Sequence, residues 1–159
     1  MSPDWEILAE VAIAMALGGV IGLEREIADK PAGLRTHMLI AGAAALLVGL
    51  GNAMIRRFAG AGSQVSGDPI RVIDAIVTAV GFLGAGMIIR RSDTNEVEGL
   101  TTAASVLFAA AVGICVALRE FILAVGVTLL DVATLRGVGF LQDRLRERRS
   151  RRAPRKSND

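Results

Sequence analysis

Five apolar stretches of membrane-spanning length, separated by short charged connectors, occupy most of this sequence. They run over residues 7–23, 38–55, 72–89, 100–118 and 121–140. A helix needs about 20 mostly apolar residues to cross the hydrocarbon core of a bilayer. The second and fourth stretches contain no charged residue, which is not typical of a soluble chain of 159 residues. The sequence therefore predicts an all-α polytopic membrane protein, a bundle of five transmembrane helices.

The composition supports this class and leaves room for one folded domain. Hydrophobic residues make up 52% of the chain, and the mean hydropathy is +0.50. We predict a transmembrane domain over residues 1–140 and a basic, disordered tail over residues 141–159. The tail could bind nucleic acid or anionic lipid headgroups. A plain anchor is favoured, because a basic end directly after a span needs no other explanation. No nucleic-acid partner is expected.

The distribution of Lys and Arg predicts the orientation in the membrane. With five spans, the N-terminus and the second and fourth connectors share one side, which holds four of the 18 basic residues. The other side holds fourteen, nine of them between Arg136 and Lys156. Cytoplasmic loops carry the excess of Lys and Arg. We therefore expect the N-terminus outside and the C-terminus in the cytoplasm.

Small residues recur every four positions along three of the stretches, so that they share one face of each helix. Small faces let membrane helices approach closely and pack by van der Waals contact. They predict a tight bundle, with a contact to a second copy of the chain as the alternative for some of them. The three rows are Glu10, Ala14, Gly18 and Gly22; His37, Ala41, Ala45, Gly49 and Ala53; and Thr101, Ser105, Ala109, Gly113 and Ala117.

Acidic residues inside the apolar stretches stand out against this background. A carboxylate in a span costs about 2.5–3.5 kcal/mol and usually faces the bundle interior or a wet cavity. Asp74 projects from nearly the same face as Gly81, which predicts an inward orientation; a local ion pair with Arg71 is the alternative. Asp131 lies in the inner half of the fifth stretch, where Arg136 or a neighbouring helix could pair with it.

Two connectors on the predicted cytoplasmic side combine charged residues with glycine-rich helix ends. The first contains ERE and KPAGLRTH, and the second lies between GFLGAGMIIRR and EGLTTAAS. GFLGAG is not a dinucleotide fingerprint, because that motif follows a strand and opens a helix. A helix loosened at Gly81, Gly84 and Gly86 would expose backbone groups, as in transporters. Ordinary close packing of these glycines is favoured.

The polar residues at these helix ends are the candidate binding site. Arg25 and Arg35 should each pair with Glu24, Glu26 or a helix-end carbonyl, since an unpaired cation is costly there. Thr101 or Thr102 should cap the fourth helix. The cluster is either a structural clasp or a site for an ion or an anionic group. The candidate residues are Glu24, Arg25, Arg35, Thr36, Asp74, Gly81, Gly84, Thr101 and Thr102.

The blocks GGVIGLERE, AGLRTH, GFLGAGMIIR and GLTTAAS resemble, in this order, the membrane domain of the MgtC/SapB family over about residues 14–118. The resemblance implies a five-helix bacterial inner-membrane protein with a cytoplasmic C-terminus. It associates the chain with adaptation to low magnesium and with virulence, and implies no enzymatic activity. MgtC proteins proper add a soluble C-terminal domain, so the short tail here indicates a SapB-like member. The family motif falls on Gly22, Glu24, Arg25, Gly33, Leu34, Arg35, Thr36, Gly81, Phe82, Gly84, Gly86, Gly99, Leu100, Thr101 and Thr102.

Two functions remain open. The favoured one is adaptation to low magnesium or host-associated stress by binding a membrane partner, since a proton-coupled pump needs a chain of ionisable groups. The alternative is an ion or small-solute transporter with a polar site at the cytoplasmic helix ends. For Mg²⁺, the oxygen ligands would be Glu24, Glu26 and Asp74. An enzyme is not expected, because no cysteine or serine constellation accompanies His37 in sequence. We expect no cofactor.

Overall fold

The computed structural model describes residues 4–59, 68–90 and 97–152. Across these ranges the chain is helical apart from a short two-stranded ribbon, which confirms the all-α class. The elements are α1 (Asp4–Ile27), α2 (Leu34–Ala59), α3 (Pro69–Met87), β1 (Ile89–Arg90), β2 (Val97–Glu98), α4 (Leu100–Ala117) and α5 (Phe121–Arg152). The ribbon is antiparallel and pairs Ile89 with Glu98 and Arg90 with Val97.

Four helices within the described ranges are long and apolar enough to cross a membrane: α1, α2, α3 and α4. The prediction of a polytopic membrane protein is therefore supported. The helix α5 is not among the four, so a count of five transmembrane helices is not confirmed.

The helix α5 continues well beyond its apolar part. The sequence analysis ended the span at residue 140 and treated residues 141–159 as a disordered tail, whereas the described helix continues to Arg152. Leu141 and Leu145 are four residues apart, and residues 141–152 include six Arg and one Glu, which are good helix formers. The first proline after the span is Pro154. Residues 153–159 lie outside the described part of the chain.

The ends of α1 and α4 share one backbone arrangement. The chain leaves each helix through a residue in the left-handed region, Asp29 (φ 53°) and Arg119 (φ 63°). In both cases the next backbone N–H donates to the carbonyl five residues back, at 3.0 and 2.9 Å. These bonds satisfy helix-end carbonyls. Before α4, Gly99 has φ 90°, and an added Cβ there would strike the Met87 carbonyl, so the turn requires glycine.

The helix α4 lies at the centre of the bundle, in contact with all four other helices, while α1, α2 and α4 contact one another directly. The predicted small faces form these contacts, which confirms the packing prediction. Three members of the rows are not buried: Glu10 and Ala53 are half-buried, and Thr101 is exposed. The buried members are Ala14, Gly18, Gly22, His37, Ala41, Ala45, Gly49, Ser105, Ala109, Gly113 and Ala117.

Backbone atoms approach each other most closely at glycines. A Cβ placed on Gly18 would lie 2.6 Å from the His37 carbonyl oxygen of α2. A Cβ on Gly113 of α4 would strike the Ala41 carbonyl oxygen, also on α2. Because both contacts are made by backbone atoms, no flexible side chain could move aside to admit a larger residue. The helix α2 is therefore clamped between α1 and α4 by positions that accept only glycine without movement of a helix.

The orientation of α3 differs from the prediction. The buried face of α3 carries Ile76, Val80 and Gly84, and a Cβ on Gly84 would lie 3.4 Å from the Ala103 Cβ of α4. Asp74 and Gly81 are exposed, so the predicted inward orientation of Asp74 is wrong. The apolar contacts of Ile76 and Val80 outweighed the small face. The helix is continuous through Gly81 and Gly84, so the loosened helix is not found either.

We expect Gly113→Ala to destabilise the protein by about 1–3 kcal/mol, because the new Cβ forces α2 and α4 apart in a well-packed core. Gly126→Ala in α5 is the matched control, since no atom lies within 4 Å of a Cβ added there and alanine favours helix. Thermal unfolding in detergent measures both variants. Equal unfolding temperatures for the two would contradict the close contact of α2 with α4.

Candidate functional site

Glu24 and Arg25 form a buried ion pair in the last two turns of α1. Glu24 is 6% exposed and Arg25 is 4% exposed. The Arg25 Nε donates to Glu24 Oε2 at 2.6 Å. The predicted pairing of Arg25 with Glu24 is confirmed. The pair lies inside the bundle, where the loss of one partner leaves an uncompensated charge.

Next to this pair, His37 of α2 contacts Ser105 of α4. The ring of His37 is fully buried, with 0% exposure. Its Nδ1 lies 2.9 Å from the Gly33 carbonyl oxygen, and its Nε2 lies 3.0 Å from Ser105 Oγ. Ser105 Oγ also lies 3.0 Å from the carbonyl oxygen of Thr102. A polar chain therefore connects α2 to the first turns of α4.

The proton positions in this chain follow from the acceptors. Because a carbonyl can only accept, Nδ1 of His37 carries a proton and donates it to Gly33. Ser105 has one hydroxyl proton, which it donates either to Nε2 of His37 or to the Thr102 carbonyl. The first arrangement suits a neutral imidazole, and the second requires an imidazolium that donates to Ser105.

Asp131 of α5 completes the cluster. Ala124, Thr128 and Asp131 are buried on one face of α5, and Asp131 is 6% exposed. Its Oδ2 is buried and has no hydrogen-bond partner among the described residues. The charges of Arg25 and Glu24 lie within electrostatic range of its carboxyl. Arg136, the partner considered from sequence, is exposed and forms no ion pair with Asp131.

The remaining candidates from sequence do not join the cluster. Arg35 and Thr101 are exposed, and Thr36 is half-buried. Asp74 and Gly81 lie on the exposed face of α3, and Gly84 packs against α4. The set brought together is Glu24, Arg25 and Thr102, with Thr102 contributing its backbone carbonyl to Ser105.

Two details of the predicted clasp are different. Neither Thr101 nor Thr102 caps α4; the cap position is Gly99, with no side-chain cap bond, because the ribbon enters α4 through a left-handed residue. Glu26 does not bind an arginine but accepts from the backbone N–H of Leu34 at 2.9 Å, which satisfies a free donor at the start of α2.

His37, Ser105 and Asp131 were not among the site residues predicted from the sequence. Both His37 and Ser105 were predicted only as members of the small packing faces. The available signal was that both stand on buried four-residue rows of facing helices, where a polar atom needs a partner. Asp131 was noted as an intramembrane carboxylate, but its proximity to Glu24 and Arg25 depends on the packing of α5.

A second polar region lies at the opposite end of the bundle. A cavity of about 320 Å³ is lined there by Glu6, Ile7, Glu10, Gly49, Asn52, Arg56, Ala117 and Arg119. Arg119 pairs with Glu6, and its Nε donates to Glu10 Oε1 at 3.1 Å. The hydrogen bond from Arg119 to Glu6, helped by Glu10, raises the pKa of its guanidinium. Arg119 is largely exposed, so these pairs contribute little to stability.

The candidate magnesium ligands from sequence do not converge. Glu24 is buried in the cluster, Glu26 is exposed at the end of α1, and Asp74 is exposed on α3. Within the described ranges, no group of three or more His, Cys, Asp or Glu residues could hold a metal ion.

The described chain is thus a membrane protein whose tightly packed helices enclose one charged cluster. It belongs to the MgtC family, whose profile matches residues 11–144. It is 39% identical to Protein SapB of Bacillus subtilis, over 70% of this chain and 47% of SapB. It is 42% identical to Protein MgtC of Brucella abortus, over 69% of this chain and 43% of that protein.

A third relative is YhiD of Escherichia coli K12, a protein named provisionally as a magnesium transporter. The two are 36% identical over 70% of this chain and 50% of YhiD. The chain thus spans about half the length of the curated relatives it matches. No solved structure matches the chain at a significant level.

We expect Arg25→Gln to destabilise the protein by about 3–5 kcal/mol, because it leaves the buried Glu24 carboxylate without its cation. Arg35→Gln makes the same change at an exposed arginine and should alter the unfolding temperature little. Thermal unfolding of purified variants measures both effects. If Arg25→Gln unfolds at the temperature of Arg35→Gln, the ion pair is not a structural element of the bundle.

Proposed function

We propose that this MgtC-family protein acts by binding another membrane protein through the exposed face of α3, in adaptation to ionic stress such as low magnesium. The observation that supports this proposal is the exposed row of Asp74, Thr78 and Gly81. Apart from the adjacent backbone of α3 itself, no described atom lies within 4 Å of a Cβ added to Gly81 or Gly86. A partner helix could therefore approach the α3 backbone directly.

The chemistry of this face favours a protein partner over lipid. A carboxylate in a span costs about 2.5–3.5 kcal/mol unless it is paired or hydrated. Asp74 lies in the second turn of α3 and forms no ion pair with Arg71 or another described residue. Small and hydroxyl side chains beside it provide the close contact and hydrogen bonds with which membrane helices associate.

The centre of the bundle supports binding over conduction. The helices α1, α2 and α4 meet through glycine and alanine with backbone contacts at Gly18 and Gly113. Side chains at the core are fully buried, among them Ile21, Val106 and Val112. A substrate would have to separate these backbones, whereas a partner on α3 would leave them unchanged.

The proposal includes the full membrane arrangement. The helix α5 would cross the membrane as a fifth span in its first part, because its buried face from Ala124 to Leu135 follows the bundle. With five spans, fourteen of the 18 Lys and Arg residues lie on the C-terminal side. That side would face the cytoplasm of a bacterial inner membrane, with the N-terminus outside.

Transport of an ion or small solute is the second candidate. The observation that favours it is Asp131, a buried carboxylate with an unbonded oxygen beside Arg25 and Glu24. Ionisable groups inside membrane bundles commonly belong to ion or proton pathways. The name of YhiD suggests magnesium transport for that relative. This function would require the close-packed core to open during each cycle.

Photo-crosslinking tests partner binding through α3. We expect a photoreactive residue at Thr78 to capture a membrane protein in cells grown at low magnesium, and the same residue at Val20 to capture none. Val20 is an exposed residue of α1, remote from the proposed face. Mass spectrometry identifies the captured protein. A product of twice the chain's mass would identify a second copy instead and contradict a heterologous partner.

Gly81→Leu separates binding from folding. The position is open, so the variant should unfold like the wild type while its crosslinking yield at Thr78 falls severalfold, because leucine keeps the partner backbone away. Asp74→Asn should reduce the yield through loss of charge. Unchanged yields in both variants would contradict the assignment of this face.

A further inference from the structure

The buried cluster contains one more carboxylate than its arginine can compensate. Arg25 donates to Glu24 at 2.6 Å, so its charge is already engaged. Asp131 is more than nine-tenths buried, and its Oδ2 has no hydrogen-bond partner in the described part of the chain. An ionised carboxylate with one buried, unbonded oxygen is disfavoured in an apolar interior. The cluster therefore lacks one positive charge.

We infer that the cluster of Glu24, Arg25, His37 and Asp131 is a proton-binding site and that its proton resides on the Asp131 carboxyl. The proton makes the cluster neutral and requires only one oxygen lone pair. A metal ion requires several oxygen ligands. The buried hydroxyl on the same helix face, Thr128 Oγ1, donates its hydrogen to the Ala124 carbonyl at 2.8 Å and offers none to Asp131.

His37 does not need the additional proton. In its neutral form, Nδ1 donates to Gly33 and Nε2 accepts from Ser105, so both ring nitrogens are satisfied. The Thr102 carbonyl keeps the intrahelical bond of α4 when Ser105 turns to the ring. Burial of the ring disfavours a positive charge on His37, and the opposite charges of Arg25 and Glu24 act on it in opposite directions.

Among the described residues that pack around Asp131, no other group could take over this role. The helix α5 packs against α1 and α4. From α1, Arg25 and Glu24 face the carboxyl. The helix α4 has no charged residue, and its one titratable side chain, Cys115, lies near the opposite end. On α5 itself, Arg136 is exposed and five residues further along.

The pH dependence of unfolding of the full chain in lipid nanodiscs tests this site. The folded state would hold a proton that the unfolded chain, with an ordinary aspartate pKa of about 4, has released. Stability should then fall as pH rises from about 5 towards 8, with up to a tenfold change in the unfolding equilibrium constant per pH unit. Asp131→Asn keeps the shape without the charge and should remove this dependence.

Asp74→Asn is the matched control and should keep the dependence, because Asp74 is exposed on α3. Stability that is constant or rises over this range would contradict the proposal. Loss of the dependence in His37→Gln but not in Asp131→Asn would place the proton on the imidazole. A saturable stabilisation by Na⁺, K⁺ or Mg²⁺ that Asp131→Asn abolishes would replace the proton with a metal ion.

Infrared spectroscopy of the wild-type protein provides a test that needs no folded variant. With ¹³C-labelled aspartate, a protonated buried carboxyl should show a C=O band that shifts on labelling, measured at a pH of about 5, where an exposed aspartate is largely ionised. Absence of such a band would overturn the inference, whether or not Asp131→Asn folds. Both measurements are independent of the α3 face, so failure of partner binding would leave this result unaffected.

Discussion

The structure depends on the direct approach of helix backbones at glycine. In a bilayer the lipid chains are as apolar as leucine, so helices associate by close contact rather than by the hydrophobic effect. Gly18 and Gly113 let α1 and α4 reach the α2 carbonyls of His37 and Ala41. The contact fixes the register of these three helices, and α3 and α5 then pack against a rigid centre.

The same close packing determines the chemistry of the cluster. Small side chains leave little space for water, so the polar atoms that remain must satisfy one another. Arg25 bonds Glu24, and His37 joins Gly33 to Ser105. Asp131 belongs to α5, and the arginine near its carboxyl, Arg25, is already bonded to Glu24. Helix packing alone therefore buries two carboxyl groups with one arginine.

The length of the apolar stretches predicted the helices, and the four-residue spacing predicted the small faces. The cost of an unpaired cation predicted a partner for Arg25, with Glu24 among the candidates. These features are local, or they repeat along one helix, and a single sequence contains them. The orientation of α3 was not predictable, because Ile76 and Val80 competed with Gly81 for the contact to α4. The cluster of Glu24, Arg25, His37 and Asp131 joins three helices across more than 100 residues. Its assembly depends on which faces meet, which no local pattern specifies.

We propose that the protein is a closed bundle that acts through its α3 surface. Ion flux into proteoliposomes tests this claim most directly, with Mg²⁺, K⁺ and protons driven by imposed gradients. We predict rates equal to those of protein-free liposomes for wild type and Asp131→Asn, with an added ionophore to verify that the vesicles are sealed. A flux above background that Asp131→Asn abolishes would contradict the closed bundle and establish the cluster as part of a transport path.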